Sequence, residues 1–379
     1  MVNVIIKPQI IEWALQRVAN EEKILGKFPV KKWISGEKNP TFKQLEAFAS
    51  ATYTPLGYFF LNEVPNLDLA IPHYRTLSDE TLENQSPDLI ETIHTMERRQ
   101  EFMKEYMKEN IGIELEFINS FSGNNPQTIA AKIYEILNLQ ENWASIEKNY
   151  DDALKLLISK CEEQYITVMV NGIVGTNTTR KLNVEEFRGF VLVDKVAPLI
   201  FINASDSKAA QIFTLIHEIA HLIIGSTAIV AASPLNDSDG DIEKLCNRAA
   251  VEFLCPESIF IPSWNEISED KFEKLSNKFK VSKIVIARRA LDLKLINKEE
   301  FFRFYTIYKE MLSNLNKEKS SGGNFYNTTR RRLGNLFTSA IDYKLKNKSI
   351  QYTDAYKLTG LKAHTFHNYI DRFNKLGGW

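Results

Sequence analysis

The segment His217-Glu218-Ile219-Ala220-His221 constrains the fold of this chain more than any other feature. It lies inside an apolar run, from Ile212 to Ile224, that is long enough to form a buried helix. Residues four apart on a helix share a face, so the two imidazoles can hold one metal ion. The glutamate beside the first histidine can reach a water bound to that ion. Buried imidazoles and carboxylates need partners, and a metal ion would satisfy all of them.

A third metal ligand is expected on a second helix, because catalytic zinc takes three protein ligands and keeps a fourth position for water. The stretch from Asp241 to Leu254 has helical spacing and offers two carboxylates. Glu243 is the favoured ligand, and Asn247, one turn later, could orient a ligating histidine through its free ring nitrogen. Glu252 lies among apolar residues, so a surface or salt-bridged role is preferred for it. Cys246 is a minor further candidate for contact with the metal.

Two stretches of the chain resemble those of one known family. Residues 213–222, FTLIHEIAHL, are similar to the zinc helix of the ImmA/IrrE metallopeptidases. Residues 243–256, EKLCNRAAVEFLCP, are similar to that family's glutamate helix, whose pattern is roughly E-x-x-x-N-x-F-A-x-E-L-L-M-P. Ala249 and Cys255 depart from this pattern at positions that affect packing and not chemistry. The resemblance extends from about residue 30 to about residue 372.

The resemblance implies a zincin-like, gluzincin-type endopeptidase with one zinc ion. It makes His217, His221 and Glu243 the zinc ligands and Glu218 the general base. It also implies that the protein cleaves a partner such as a transcriptional repressor, in a stress response, on a mobile element or in a toxin–antitoxin system. The alternatives are a DNA-binding regulator or a toxin–antitoxin component whose zinc site is not proteolytic. Glu218 favours the peptidase, because a structural zinc site needs no base.

Bulk composition is that of a soluble globular protein with room for two or three domains. The chain has 379 residues, of which 44% are hydrophobic and 25% are charged. No apolar run is long enough for a membrane span, and the N-terminus lacks the features of a secretory signal. The three cysteines, at positions 161, 246 and 255, form neither a disulfide framework nor a CxxC zinc site. Buried thiols in a reducing cytoplasm are therefore expected.

Helical and strand patterns along the chain predict an α+β fold that is mainly helical. Three β-rich runs, at residues 165–170, 187–194 and 198–203, predict a small sheet of about three strands beside the zinc helix. We expect the third run to flank the cleft, with Asn203 capping the next segment or bonding a substrate backbone. The predicted domains are a helix-turn-helix bundle (1–65), a linker and long helix (66–110), the peptidase core (111–316) and a C-terminal helical module (324–379).

The N-terminal bundle resembles the later half of a lambda-repressor-like helix-turn-helix domain. Residues 30–41, VKKWISGEKNPT, carry this resemblance, which places Lys31, Lys32 and Lys38 near DNA phosphates. Trp33 is expected in the core of the bundle. The first half of the motif is degenerate, since no Q-x-x-x-A turn is visible. Docking of a protein by the same bundle is the alternative to DNA binding.

Charge is unevenly distributed along the chain. The net charge is −1, but residues 317–379 contain twelve Lys and Arg against four Asp and Glu, a local balance of 12 − 4 = +8. Such asymmetry can mark a module that docks on an acidic partner, including DNA. A solvated helical surface is the alternative, and the sequence does not choose between them. Within this module the helix-turn-helix rhythm of residues 352–367 also keeps DNA as a possible partner.

Overall fold

A computed structural model describes residues 3–18, 21–65, 86–226, 228–230, 240–314 and 324–377. Two compact units are present among these residues, one that ends at His94 and one that begins at Thr95. Helices predominate in both, and the predicted α+β, mainly helical class is confirmed. Most of the predicted linker, and the residues between the predicted peptidase core and C-terminal module, lie outside the described residues.

The first unit is a small helical bundle with an aromatic core. Trp33 is only 2% exposed and meets the ring of Phe48 edge-on at 5.5 Å, which confirms its expected place in the core. Thr41 begins the fourth helix with a capping box: its hydroxyl accepts from the Gln44 backbone N–H, and the Gln44 side chain accepts from the Thr41 N–H. The helices are α1 (Pro8–Gln16), α2 (Glu21–Lys27), α3 (Val30–Ile34), α4 (Phe42–Ala51) and a 3₁₀ turn (Leu56–Phe60).

The second unit contains the remaining helices. Helix α5 (Pro87–Asn110) contains the boundary between the two units and is the long helix predicted within residues 66–110. The others are α6 (Pro126–Leu137), α7 (Trp143–Ile146), α8 (Tyr150–Glu163), α9 (Lys208–Ile224), α10 (Asp241–Leu254), α11 (Glu257–Glu266), α12 (Lys271–Phe279), α13 (Lys283–Asp292), α14 (Lys298–Asn314), α15 (Phe325–Leu333), α16 (Asn335–Lys346), α17 (Tyr352–Thr359) and α18 (Ala363–Lys375). None of the described helices is both long and apolar enough to cross a bilayer.

One sheet lies within the second unit. The three predicted strands are present as β1 (Thr167–Asn171), β2 (Gly189–Leu192) and β3 (Leu199–Asn203), and every residue in them is buried. A short fourth strand, β4 (Ala228–Val230), pairs antiparallel with β2. The order is β1-β3-β2-β4, in which β1 and β3 run parallel. Strands buried on both faces read as continuous apolar runs, which is why these three were visible in the sequence.

The C-terminal helices pack on this sheet. Helix α15 lies against β1, and Arg332 at its end donates to the Asn171 side chain at 3.1 Å. Gly334 joins α15 to α16 with a φ of +77°, and a Cβ there would lie 2.8 Å from the carbonyl oxygen of Val168. Lys344 is almost fully buried and pairs with Glu109 at 2.6 Å. Part of the C-terminal positive charge therefore serves packing within the unit.

Candidate metal centre

Helix α9 carries the histidine pair through the middle of the second unit. Ser207 begins the helix by accepting a hydrogen bond from the Ala210 N–H at 3.3 Å, and Gly225 ends it in the left-handed conformation. All residues from Gln211 to Ile223 are buried, because the sheet covers one side and α6, α8 and α10 cover the other. The predicted buried helix around the histidine motif is thus present.

Helix α10 brings Glu243 to the two histidines. The Nε2 atoms of His217 and His221 lie 3.0 Å apart, and they lie 3.2 Å and 3.1 Å from the two carboxylate oxygens of Glu243. Zinc bonds of about 2.0–2.2 Å at tetrahedral angles separate two ligand atoms by about 3.3–3.6 Å. The three side chains therefore stand within a few tenths of an ångström of the spacing that one zinc ion requires. Among the described residues they form the one group of three or more His, Cys, Asp or Glu with metal-site spacing.

Several buried polar atoms around this group have no hydrogen-bond partner among the described residues. His217, Glu218 and His221 have no exposed surface, and Glu243 is 2% exposed. Within the described part of the chain, neither imidazole Nδ1 nor either carboxylate oxygen of Glu218 has a hydrogen-bond partner. A buried polar group without a partner costs about 1–3 kcal/mol, and more if it is charged. The residues present therefore fit a bound cation, which would offset the cost of burying two carboxylates side by side.

The burial and close spacing of these side chains shift their pKa values. Burial, followed by the negative charge of Glu243, raises the pKa of Glu218 well above its usual value. Burial also acts to raise the pKa of Glu243, but its contacts with His217 and His221 outweigh burial and lower it. Burial lowers the pKa of His221, which favours the neutral imidazole that a metal ion needs. The pair of carboxylates beside two imidazoles is thus arranged to receive positive charge.

Asn247 does not have the predicted role in this structure. It lies one turn after Glu243 on α10 and is half-buried. Because the Nδ1 atoms of His217 and His221 have no hydrogen-bond partner among the described residues, the Asn247 amide orients neither ring. The prediction of an Asn247–histidine hydrogen bond is wrong here: the imidazoles are positioned by burial in α9 and by their Nε2 contacts with Glu243 instead.

Glu252 has the structural role that the sequence favoured. Its carboxylate accepts from Arg289 Nη2 at 2.6 Å, and Arg289 Nε donates to the Cys255 carbonyl at 3.0 Å. This ion pair joins α10 to α13. Cys246 is buried, and the nearby charges of Glu243 and Glu218 add to burial in raising its thiol pKa. The three cysteines are free and buried, as predicted.

The third strand does not flank a cleft, contrary to the prediction. Strand β3 pairs with β1 on one side and with β2 on the other, so its backbone groups cannot accept an extended peptide. Strand β4 is the edge beside β2. Asn203 is buried and donates from its amide to the Phe187 carbonyl while its oxygen accepts from the Ser205 N–H. Asn203 thus bonds the backbone of its own chain on both sides, while the N-cap of α9 is Ser207.

Gly189 is a site residue that the sequence analysis missed. It begins β2 directly over α9, where a Cβ would lie 2.5 Å from the Thr214 methyl group, 2.8 Å from the Phe201 carbonyl and 3.4 Å from Glu218 Oε1. An added methyl group would clash with Thr214 and with the Phe201 carbonyl, so glycine lets β2 pack closely on α9 beside Glu218. A lone glycine at the start of an apolar strand is the available signal, since glycine in a strand often marks a close approach.

The three lysines proposed to contact DNA are exposed in the first unit. Lys31 and Lys32 lie on α3, a helix of five residues, and Lys38 follows it. Lys32 also pairs with Glu37 at 3.1 Å. Exposure is compatible with phosphate contacts, and contact with DNA stays a prediction for all three.

Comparison with known families assigns the part of the chain that holds the metal centre. Residues 161–291 match the family model described as the IrrE N-terminal-like domain, peptidase family M78. This range contains the histidine pair, Glu218 and Glu243. The match supports a peptidase of the ImmA/IrrE type. That family is generally zinc-dependent, and the buried group of His217, His221 and Glu243 could bind the metal.

The other comparisons add little about activity. Residues 333–372 match a domain of unknown function, DUF8813, which lies within the C-terminal helices. No family match confirms the helix-turn-helix interpretation of the N-terminal bundle. None of the curated proteins matches the chain.

Proposed function

We propose that the protein is a zinc-dependent endopeptidase that cleaves a partner protein. One observation carries the proposal: Glu218, a carboxylate with no hydrogen-bond partner among the described residues, is buried beside two histidines and a glutamate at zinc-ligand spacing. A purely structural zinc site has four protein ligands and needs no unpaired carboxylate next to them.

The chemistry follows from the roles of these side chains. Zinc, when bound, supplies a Lewis acid that activates water near neutral pH and polarises the scissile carbonyl. His217, His221 and Glu243 hold the ion. Glu218 accepts a proton on a carboxylate oxygen from the attacking water and then donates it to the leaving amine. Gly189 lets β2 pack closely on α9 next to the Glu218 carboxylate.

The substrate that we propose is a regulatory protein, such as a repressor or an antitoxin-like factor, cut in a stress response or in the control of a mobile element. Strand β4 offers a backbone edge on which an extended peptide could pair. A cytoplasmic site of action is part of the same proposal, and the free, buried cysteines are compatible with it. The alternative remains a regulator whose zinc site is not proteolytic.

The decisive experiment compares the wild-type chain with Glu218→Gln. Zinc per chain is measured after purification, and each protein is incubated with the regulator encoded beside its gene. We expect both to hold one zinc ion, and we expect Glu218→Gln to cut at least about 10²–10⁴-fold more slowly because it lacks the base. Zinc in both proteins with equal activity would remove Glu218 from the mechanism. Zinc in both with no cleavage by either would favour the regulator.

Two glutamates of α10 provide a matched control for the ligand set. Glu243→Gln replaces a proposed zinc ligand. Glu252→Gln, on the same helix, breaks an ion pair with Arg289 of α13. We expect Glu243→Gln to purify without zinc and Glu252→Gln to retain it. Loss of zinc from both variants would mean that the helix, and not the ligand, decides metal content.

DNA binding by the N-terminal bundle is a separate proposal that rests on the resemblance of residues 30–41 and on the exposure of three lysines. A duplex carrying the promoter of the chain's own gene is the probe. Replacing Lys31 and Lys38 by Gln should lower the salt dependence of binding by about one to two phosphate contacts. Unchanged binding by this double variant would favour protein docking for the bundle.

A further inference from the structure

A cavity of about 720 Å³ lies between α8, β1 and α15 in the second unit. None of the four side chains of the metal centre lines it. Cavities that bind small organic molecules usually measure about 300–1,000 Å³. The cavity is thus large enough for a ligand of nucleotide size and is separate from the proposed active site.

Positive charge is concentrated in this cavity. Four cationic side chains line it, against two carboxylates, Asp151 and Glu162. Asp151 is shared by three of the cations: Arg331 Nη2 lies 2.6 Å from each of its oxygens, Lys155 lies 3.0 Å away and Lys208 lies 3.8 Å away. Lys155 also pairs with Asp152 at 3.1 Å, so two carboxylates face these three cations. Burial and the positive charge of Arg331 lower the pKa of Lys208, as expected for crowded cations.

Glu162 adds little negative charge to the space. Its carboxylate accepts from the backbone N–H groups of Asn335 and Leu336 and from the Asn335 amide, at 2.6–3.2 Å, and so caps the N-terminus of α16. Burial raises its pKa to about 7, so near neutral pH it is partly protonated. The cavity therefore keeps an excess of positive charge, to which the N-terminus of α9 at Lys208 contributes.

The walls of the cavity also suit an organic group. Ile158, Val168 and Val170 provide an apolar wall, and the amide side chains of Asn324 and Asn327 line the space beside the cations. An apolar wall with amides beside it can accept a ring and its polar edge, while the cations accept an anion. A simple inorganic anion would leave the apolar wall uncovered.

We propose that this cavity binds a phosphorylated small molecule of nucleotide size, with the phosphate held by Lys155, Lys208 and Arg331. The organic part lies against the wall formed by α8 and β1. Arg331 forms bidentate contacts with oxyanions, and the two lysines add point charges. Binding at this site does not depend on the proposed peptidase activity, so the two can be tested separately.

Calorimetric titration of the full-length, zinc-loaded protein tests the site. The probes are AMP, ribose 5-phosphate and adenosine, each up to about 10 mM so that weak sites with a Kd near 1 mM are seen. The variants are Lys155→Gln and Lys208→Gln, and the control is Lys298→Gln, which removes an exposed lysine on α14. Lys155 is 57% exposed, so its replacement leaves the fold intact even where Lys208→Gln does not.

We expect AMP to bind more tightly than ribose 5-phosphate, and adenosine to show no binding. Each cavity variant should weaken AMP about tenfold, and added salt should weaken it further. The control should bind like the wild type. Equal binding of adenosine and AMP would show that no anion site exists. Absence of binding by both phosphorylated probes, or AMP binding that Lys155→Gln leaves unchanged, would overturn the proposal.

Discussion

Two buried ionisable clusters of the second unit differ in how many of their polar atoms have hydrogen-bond partners. The first is the metal centre, and the second surrounds Glu162. At the metal centre, Glu218 and the two imidazole Nδ1 atoms have no hydrogen-bond partner among the described residues. At the start of α16, Glu162 is equally buried, but its carboxylate accepts three hydrogen bonds from Asn335 and Leu336. Both clusters contain a buried carboxylate.

This difference in hydrogen bonding distinguishes Glu162, which has a structural role, from the metal centre, for which we propose a functional one. Protein atoms satisfy the Glu162 carboxylate completely, so it needs no ligand and fastens the C-terminal helices to the core. At the metal centre no described residue hydrogen-bonds the Glu218 carboxylate, and a cation held by the two Nε2 atoms and Glu243 would offset the buried negative charge. Burial of charge alone does not indicate function; unpaired burial next to ligand-type side chains does.

Zinc should stabilise the first cluster strongly. At a free zinc concentration of about 1,000 times the Kd, we expect the unfolding free energy to rise by about 4 kcal/mol, because zinc binds only the folded arrangement. His221→Ala should abolish this gain. Denaturant titration of both proteins, with zinc and with a chelator, measures it. A zinc-independent unfolding midpoint in the wild type would mean that protein contacts alone satisfy the centre.

At the second cluster we expect the stability to depend on pH, because Glu162 takes up a proton when the chain folds. The pKa of Glu162 is about 7 in the folded chain and 4.5 without burial, so between these values the folded chain holds a proton that the unfolded chain has released. The unfolding free energy should therefore fall by about 3 kcal/mol as the pH rises from 4.5 to above 7.

Glu162→Gln isolates this contribution, because glutamine keeps an acceptor for the backbone N–H groups and does not titrate. Urea unfolding at intervals from pH 5 to 8 should give a flatter pH dependence for the variant than for the wild type. Parallel pH curves for the two proteins would show that Glu162 stays ionised, held by its three hydrogen bonds.

A smaller effect is expected where the sheet presses on the first cluster. Gly189→Ala would place a methyl group 2.5 Å from the Thr214 side chain and 2.8 Å from a backbone carbonyl, which costs about 1–3 kcal/mol of stability. Gly26→Ala on α2 is the control: no atom lies within 4 Å of its added methyl, and alanine should stabilise that helix by about 0.5–1 kcal/mol. Thermal unfolding of both variants measures these changes in stability. An unchanged stability of Gly189→Ala would mean that the sheet can move away from α9.

The sequence predicted those parts of the fold whose signal is local. The histidine motif and its apolar flanks predicted α9, the helical spacing around Glu243 predicted α10, and three apolar runs predicted β1 to β3. The sheet order was not accessible, because pairing of β3 between β1 and β2 depends on contacts between distant segments. For the same reason the cleft was assigned to β3, and the three-residue β4 is too short to give a pattern.

Site predictions divided along the same line. Three ligands and a base could be named from spacing on two helices and from family resemblance. The partner of Glu252 lies 37 positions away at Arg289, and the failure of Asn247 to reach an imidazole depends on how α10 rotates against α9. Side-chain geometry of this kind is set by packing, which no single stretch of sequence contains.

Complete burial of the metal centre has a consequence for timing. The attacking water must come within about 3 Å of the base, with the scissile bond beside that water, yet His217, Glu218 and His221 expose no surface. In this arrangement the enzyme that we propose is latent, and its observed rate is the intrinsic rate multiplied by the fraction of molecules that have opened. Apparent substrate affinity falls by the same fraction. A factor that shifts the equilibrium between closed and open molecules therefore controls when the partner is cut. The arrangement of the catalytic side chains does not have to change.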